Sequence, residues 1–394
     1  MPGKRIAVIG AGVSGLGAIK SCLEVGLEPT CFEGSNDIGG LWRYEEKTEG
    51  GRPSIYRSAT SNTSKEMTAY SDYPFPAHFP NYVHNSKIME YLRMYVRHFH
   101  LTKHIRFLTR VRSVRKRPDF CSTGQWDVVV ETEGKQESYV FDGIMVCTGL
   151  YSEPVLPLEN FPGIKRFKGE YIHSWEYKSP EKFQGKRIVV VGIGNSGVDL
   201  AIDLSRVASQ VFLSTRTGSW IWNRVWDNGL PMDVALFSRF NSILENLMPT
   251  FLTNRLAENK LNARFNHDMY GLQPKHRFLN SSRDTRRVPF IDYMDDIASE
   301  IGVKPNLLSL LLWDPKLAVK SFFGPCTPYQ YRLQGPGSWA GAREAIMTQT
   351  ERIIKPLRTR SLACAPPQHS LPCWLKSVCV ALLVSVLTVV LLKQ

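Results

Sequence analysis

Two glycine fingerprints, RIAVIGAGVSG at residues 5–15 and RIVVVGIGNSG at 187–197, predict an α/β protein with two Rossmann-like dinucleotide-binding domains. Each fingerprint is a short apolar strand running into a glycine turn and then an amphipathic helix, which aims backbone N–H groups at a pyrophosphate. The strand that follows each helix ends in polar residues suited to a ribose. A single glycine turn of this kind is weak evidence, because such turns also serve helix packing. Two copies with chemically sensible strand ends carry the inference.

In the first unit, strand 5–9 leads through Gly10, Ala11 and Gly12 into a helix from about Val13 through Ser14 and Gly15 to Val25. Gly26 is the expected C-cap. Strand EPTCFE then closes on Glu33, where a carboxylate suits a ribose hydroxyl pair without a 2′-phosphate, hence FAD or NAD. The second unit runs from Lys186 to about Thr217, with a helix expected over 196–207 and strand SQVFLS after it. Its strand end carries Ser214, Thr215 and Arg216. Hydroxyls and a guanidinium hold a 2′-phosphate that a carboxylate would repel, so the second ligand reads as NADP(H).

Between the units, VFDGIMVCTGL at 140–150 has the form of a strand returning to the first cofactor. Trp220, Trp222, Arg224 and Trp226 open a stretch read as irregular to about Leu279. Helical patterns are expected over 292–301 and 306–312, and FFGPCTPYQYRLQGPGSW reads as loop. No internal repeat beyond the two fingerprints is visible.

The 394 residues carry a formal charge of +13, which suits cofactor phosphates, an anionic membrane face or nucleic acid. The densest basic run, RVRSVRKR at 110–117, alternates with Val111 and Val114 and leads toward WDVVVE. It reads as a strand with a solvated face, and no nucleic-acid partner is expected. The eight cysteines include no CxxC pair and no zinc-like histidine spacing, so reduced, mostly buried thiols and no metal site are expected. The chain enters a strand almost at once, so no signal peptide and a body facing the cytosol are expected.

The uncharged run SVCVALLVSVLTVVLL at 377–392 lies between Lys376 and Lys393. As a helix it measures about 24 Å against a hydrocarbon core of about 30 Å, unless residues 371–375 extend it. A buried core helix is the alternative, but the run is apolar all round and follows the loop-like SLACAPPQHS. Membrane attachment through 371–392 is therefore expected.

Three further motifs narrow the reading. EGSNDIGGLW spans 33–42, SNTSKEMTAYSDYPFP spans 61–76, and FKGEYIHSWEY fits FxGxxxHxxxY through Phe167, Gly169, His173 and Tyr177. Together they closely resemble the animal flavin-containing monooxygenases, over residues 1–279 and again from about 290 to the C-terminus. The resemblance implies a flavoprotein that takes hydride from NADPH, reacts with O₂ and holds a C4a-hydroperoxyflavin for attack by a soft nitrogen or sulfur of a small amine or thioether. It also implies attachment to the endoplasmic reticulum membrane.

Carried over residue by residue, the resemblance places Gly10 to Gly15 at the FAD pyrophosphate, Glu33 at its ribose, and Gly40, Leu41 and Trp42 near the flavin. Asn62, flanked by Ser61 and Thr63, is the expected catalytic residue, its amide stabilising the oxygenated flavin. Gly192, Gly194, Ser196, Gly197, Val198 and Asp199 surround the NADP pyrophosphate, with Thr215, Arg216 and Arg224 at the 2′-phosphate. His173 and Tyr177 have no assigned chemical step and read as packing or turn residues, and His267 reads as a solvated or core-satisfied histidine rather than half of an acid-base pair with Asp268.

The chain departs from the family after HRFL at 276–279, where a long segment that completes the flavin and NADP domains is absent. The expected organisation is an FAD-binding part over 1–152, an NADP-binding part over 153–279, a junction of internal deletion over 280–290, a helical and loop part over 291–360, and the apolar segment 371–392. Losing central strands leaves edges and apolar faces uncovered, so weak FAD binding and little activity are expected from the shortened chain. A catalytically impaired isoform, a Baeyer-Villiger enzyme and a flavin disulfide reductase are the rival readings. The last lacks the paired redox cysteines it needs.

Overall fold

The computed structural model describes residues 3–48, 50–53, 55–278 and 290–357. The expected junction at 280–290 lies outside these residues but for its last one, and the segment 371–392 lies wholly outside. Among the described residues no helix is long and apolar enough to cross a membrane. The described residues up to Pro356 make one compact unit.

Among the described residues nine strands are formed: β1 (Arg5–Ile9), β2 (Glu28–Phe32), β3 (Ile105–Arg106), β4 (Thr109–Lys116), β5 (Trp126–Thr132), β6 (Lys135–Phe141), β7 (Gly143–Val146), β8 (Arg187–Val191) and β9 (Gln210–Ser214). They build a parallel sheet in the order β3-β2-β1-β7, an antiparallel sheet β4-β5-β6, and a parallel pair β8-β9. This is a mixed α/β fold with Rossmann-type sheets.

The first βαβ unit forms as the sequence predicts, with its helix at Val13–Glu24 and Gly26 at φ 75° just beyond. Central β1 buries Ala7 and Val8 completely. On one side of this sheet the 13–24 helix and the Asn85–His98 helix share a core with Leu317, Tyr329, Ala345 and Ile346 from the far end of the unit. The other side is closed by the antiparallel sheet through Phe32, Val128, Val130 and Phe141.

The basic run is β4, and its cations face water, with Arg112 paired to Glu131 on β5 at 2.7 Å. Cys22, Cys31 and Cys326 are buried free thiols, Cys147 is half-buried and Cys121 is exposed. No metal-holding group occurs among the described residues.

In the second βαβ unit the helix spans Asn195–Leu204 and stops three residues before the expected end. Val189 and Val191 on β8 are 62% and 63% exposed, and Phe212 on β9 is 42% exposed. Burying a side chain of this size contributes about 1.5–3 kcal/mol, and most of that gain is forgone here.

The stretch after Trp220, expected to be irregular, holds helices at Met232–Leu236, Arg239–Leu247 and Thr250–Arg264. The last is hard to read because its apolar residues form no single stripe, and Phe251 and Leu256 face solvent. Pro231 and Pro249 stand at two helix starts, where they read equally well as turn residues. Helices at Phe290–Glu300 and Leu307–Trp313 agree with the expected patterns, and Pro315–Phe323 and Ala342–Ile354 follow. The proline-rich segment between those two includes a 3-10 turn at Pro328–Arg332 whose Tyr329 and Gln330 are fully buried.

Candidate functional site

Three glycine-rich turns converge at the C-terminal ends of β1 and β7. Gly10 sits at φ 100°, and a Cβ there would stand 2.7 Å from the Cys147 carbonyl oxygen. A Cβ on Gly15 would stand 1.8 Å from the Gly10 carbonyl oxygen, so the helix can approach the turn only without one. The second turn joins this one where Gly39 donates to the Ala11 carbonyl at 3.0 Å, and a Cβ on Gly40 would come within 3.2 Å of the Gly12 Cα. The third, Cys147 to Tyr151, follows β7.

Together they line a cavity of about 600 Å³ with Gly12, Val13, Ser14, Glu33, Leu41 and Trp42. Ala11, between Gly10 and Gly12, is fully buried. The Glu33 carboxylate accepts from the Ala11 amide at 2.8 Å and from both the amide and hydroxyl of Ser35, which fixes it at the end of β2. Arg52, Pro53 and Thr109 to Arg112 also line the cavity. Sequence reasoning missed them; the pairing of β2 with β3 and the turn into β4 bring Thr109 to Arg112 here, and Arg52 and Pro53 come from a separate loop.

This cradle fits a flavin dinucleotide. Its turns have no side chain at Gly10, Gly12 and Gly40, where a pyrophosphate would approach; an added methyl group at Gly10 or Gly15 would collide with backbone, and one at Gly40 would press on the Gly12 Cα.

Asn62 stands on a turn fixed at both ends. The buried Ser61 hydroxyl accepts from the Val83 amide at 2.8 Å, and the Ser64 amide donates to Asp233 at 2.6 Å. Burial pushes the Asp233 carboxyl up, against the amides that hold it down. The neighbouring Thr63 hydroxyl meets that of Thr68 at 2.7 Å.

Arg224 donates through Nη2 to the Asn62 Oδ1 at 2.8 Å, so the structure takes this arginine to the Asn62 turn. Its guanidinium lies 5.7 Å from the Tyr82 ring, and its carbonyl accepts from the Tyr82 hydroxyl. Burial, then Asp233, pushes that hydroxyl up to about 12, so it remains a donor at neutral pH. With Oδ1 engaged by a cation, the Asn62 NH₂ group is the end left to donate to a ligand.

The second fingerprint presents Gly192, Gly194 and Ser196 to solvent, with Gly197, Val198 and Asp199 partly covered. Gly192 has φ 104°, and a Cβ on Gly192 or Gly194 would meet nothing within 4 Å. Thr215 and Arg216 follow β9, the first partly covered and the second exposed. Asp199 accepts from the Tyr56 hydroxyl at 2.6 Å, and Asp203 from Ser58 at 3.0 Å and Tyr177 at 2.7 Å.

Tyr177 is 2% exposed, so the last residue of the FxGxxxHxxxY motif is a buried strut between the 173–177 turn and the 195–204 helix. His267 accepts from the Ile221 amide at Nε2 and donates from Nδ1 to Asn262. Burial holds its pKa down, and it is a satisfied neutral histidine.

A dinucleotide fold used twice, with an exposed amide presented on a turn whose flanking residues are buried, is the arrangement of a flavin-dependent oxidoreductase. The profile of the flavin-binding monooxygenase-like family matches residues 3–283 and 276–392, and the chain belongs to that family. It is 43% identical to flavin-containing monooxygenase 5 of Cavia porcellus over 502 positions, covering 91% of this chain and 94% of that one. It is 39% identical to dimethylaniline monooxygenase [N-oxide-forming] 2 of Macaca mulatta with the same coverage.

Because 91% of 394 residues is about 359, roughly 140 of those 502 positions have no counterpart here. Among solved structures, S-allyl-L-cysteine S-oxygenase from Allium sativum matches at 28% identity with a TM-score of 0.50, over 57% of this chain and 54% of that one. An OTEMO structure in complex with FAD and NADP matches at 25% identity and a TM-score of 0.44, over 56% of this chain and 40% of that one. The chain thus spans about half the length of the solved structures it matches. The family is one of flavin-binding monooxygenases.

Proposed function

We propose that this chain descends from, and carries the site of, an FAD- and NADPH-dependent monooxygenase that uses O₂ to oxygenate the nucleophilic nitrogen or sulfur of small amines or thioethers. The observation that carries this reading is the convergence of three glycine turns and Glu33 on one cavity. The S-oxygenase from Allium sativum supports sulfur as an acceptor. A bound flavin would supply the oxygenating chemistry, with NADPH as reductant and O₂ as the source of the oxygen atom.

The chain's own residues bind and orient. The amides of the 10–15 turn face the FAD pyrophosphate, and Glu33 accepts from ribose hydroxyls with lone pairs left beside its present bonds. Asn62 donates from its NH₂ group toward developing negative charge, its rotation fixed by Arg224. Thr215 and Arg216 supply a hydroxyl and a guanidinium for a 2′-phosphate.

A second reading, a catalytically impaired member of the family, is favoured by the exposure of Val189, Val191 and Phe212 around the NADP fingerprint and by the roughly 140 absent positions. A bound dinucleotide needs walls, and Gly192 and Gly194 have none within 4 Å of an added Cβ. We place the protein on the cytosolic face of the endoplasmic reticulum membrane, held by 371–392.

The deciding experiment purifies the 394-residue chain and measures bound FAD and NADPH-dependent oxidation of a thioether beside a ketone. Stoichiometric FAD with sulfoxide formation supports the first reading. FAD without turnover selects the second, and ketone insertion selects a Baeyer-Villiger enzyme. Deleting residues 371–394 is expected to move the protein from the membrane pellet to the soluble fraction, and continued pelleting would overturn the anchor.

A further inference from the structure

We infer that Arg352, through the buried carboxylate of Glu66, is the positioning residue that fastens the Asn62 turn. This rests on the role given to Asn62 above. Glu66 is fully buried two residues past the turn, at the start of the short Lys65–Thr68 helix. A buried carboxylate is tolerated only with paired, hydrogen-bonded partners.

Its partners come from the opposite end of the unit. Arg352 donates from Nε to Oε1 at 3.0 Å and from Nη2 to Oε2 at 2.7 Å, a two-point grip that fixes the carboxylate plane as well as its charge. The Tyr329 hydroxyl donates to Oε2 at 3.0 Å, and the Arg352 guanidinium lies 5.4 Å from the Tyr329 ring.

Arg352 is itself held in place. It donates to the Thr348 hydroxyl at 2.6 Å and the Ala345 carbonyl at 2.8 Å, both on its own Ala342–Ile354 helix. The same helix meets the turn a second time, where Asn81 donates to the Ile353 carbonyl at 3.0 Å while accepting from the Lys65 amide at 2.7 Å. The Lys65 ammonium completes the frame, donating to the Ala77 and Phe79 carbonyls at 2.9 and 2.7 Å.

Asn62 is exposed, and its side chain is held by the Arg224 guanidinium. Its placement therefore depends on the backbone that Glu66 and Lys65 anchor. A loose turn would let the amide swing through more than the half-ångström or so that a productive site tolerates.

Amide hydrogen exchange in the ligand-free full chain tests this, comparing Arg352→Gln with Ile346→Ala, a cavity variant at a fully buried position of the same helix. The expected result is exchange across 61–68 at least tenfold faster in Arg352→Gln than in Ile346→Ala, with 88–96 equally protected in both. Equal acceleration of both segments in the two variants, or none across 61–68, overturns the proposal and leaves a purely stabilising ion pair.

Should Arg352→Gln fail to fold, Arg352→Lys keeps the charge but not the two-point grip, and the same pattern is expected at about threefold. In FAD-loaded protein, hydrogen peroxide released per NADPH consumed should rise at least threefold with the KM for NADPH unchanged, and an unchanged ratio counts against positioning. A wild-type chain that binds no FAD sinks the functional reading instead, while the exchange comparison still decides this one.

Discussion

RIAVI and RIVVV are near copies, yet Ala7 in the first is fully buried and the matching Val189 in the second is 62% exposed. Both strands form, both run into a glycine at φ near 100°, and both hand over to a helix. The difference lies in what stands beside them. β1 has β2 on one side and β7 on the other, with a helix layer and a second sheet across its faces, whereas among the described residues β8 pairs with β9 alone. Local sequence is enough to shape a dinucleotide turn, and neighbours are needed to make it a site.

The largest expected effect uses the helix glycines. In Gly15→Ala the new Cβ falls 1.8 Å from the Gly10 carbonyl oxygen inside the main core, and a loss of about 4 kcal/mol or more is expected in global denaturant unfolding. Gly197→Ala faces a similar local clash, 2.2 Å from the Gly192 oxygen. Its damage should stay within residues 187–214, visible by hydrogen exchange while the main transition holds. A global loss of equal size in both would erase the distinction drawn between the two units.

Lys65 belongs to the well-packed region and should report it through pH. Burial holds its ammonium down at about 8, against an ordinary 10.5 in the unfolded chain. The unfolded state therefore binds more protons between those values, and stability should rise as pH rises from about 8 to 10.5, by up to about 3 kcal/mol. Below about 8 the penalty is fully present. Lys65→Met should flatten that rise in thermal melts, and an identical pH profile in the variant would refute the assignment.

A smaller contrast is expected for the turn glycines. Gly10→Ala meets both positive-φ strain and the Cys147 carbonyl, whereas Gly192→Ala meets the strain alone, about 1–3 kcal/mol. Unfolding midpoints should therefore fall further for Gly10→Ala. Smallest of all is Val189→Thr, expected to change stability by less than about 0.5 kcal/mol. Val8→Thr, which buries a hydroxyl, should cost about 1–3 kcal/mol. A large loss in Val189→Thr would mean that this face is covered in solution.

Much of the first unit was legible because its signals are local. The 5–9 strand, the helix ending near Gly26 and Glu33 at the strand end are each set by neighbours within a few residues, and the structure forms them there. The helix at Thr250–Arg264 was not legible, since its apolar residues scatter around the axis. Nor was the burial of Tyr329 and Gln330 within a proline-rich stretch. Arg224 could be read as a phosphate ligand from its charge, but its contact with Asn62 spans 162 positions of sequence and follows from no spacing rule.

The sequence by itself determined the two dinucleotide turns, because a positive-φ glycine and a Cβ-free helix start are requirements of backbone within reach of itself. It also determined the chemical kind of each strand end, Glu33 in one unit and Thr215 with Arg216 in the other. Only the tertiary structure decided which turn gains walls, and how Glu66 near one end of the unit comes to be gripped by Arg352 at the other. Burial and ion pairing across hundreds of residues depend on how whole layers pack, and no window along the chain contains that information.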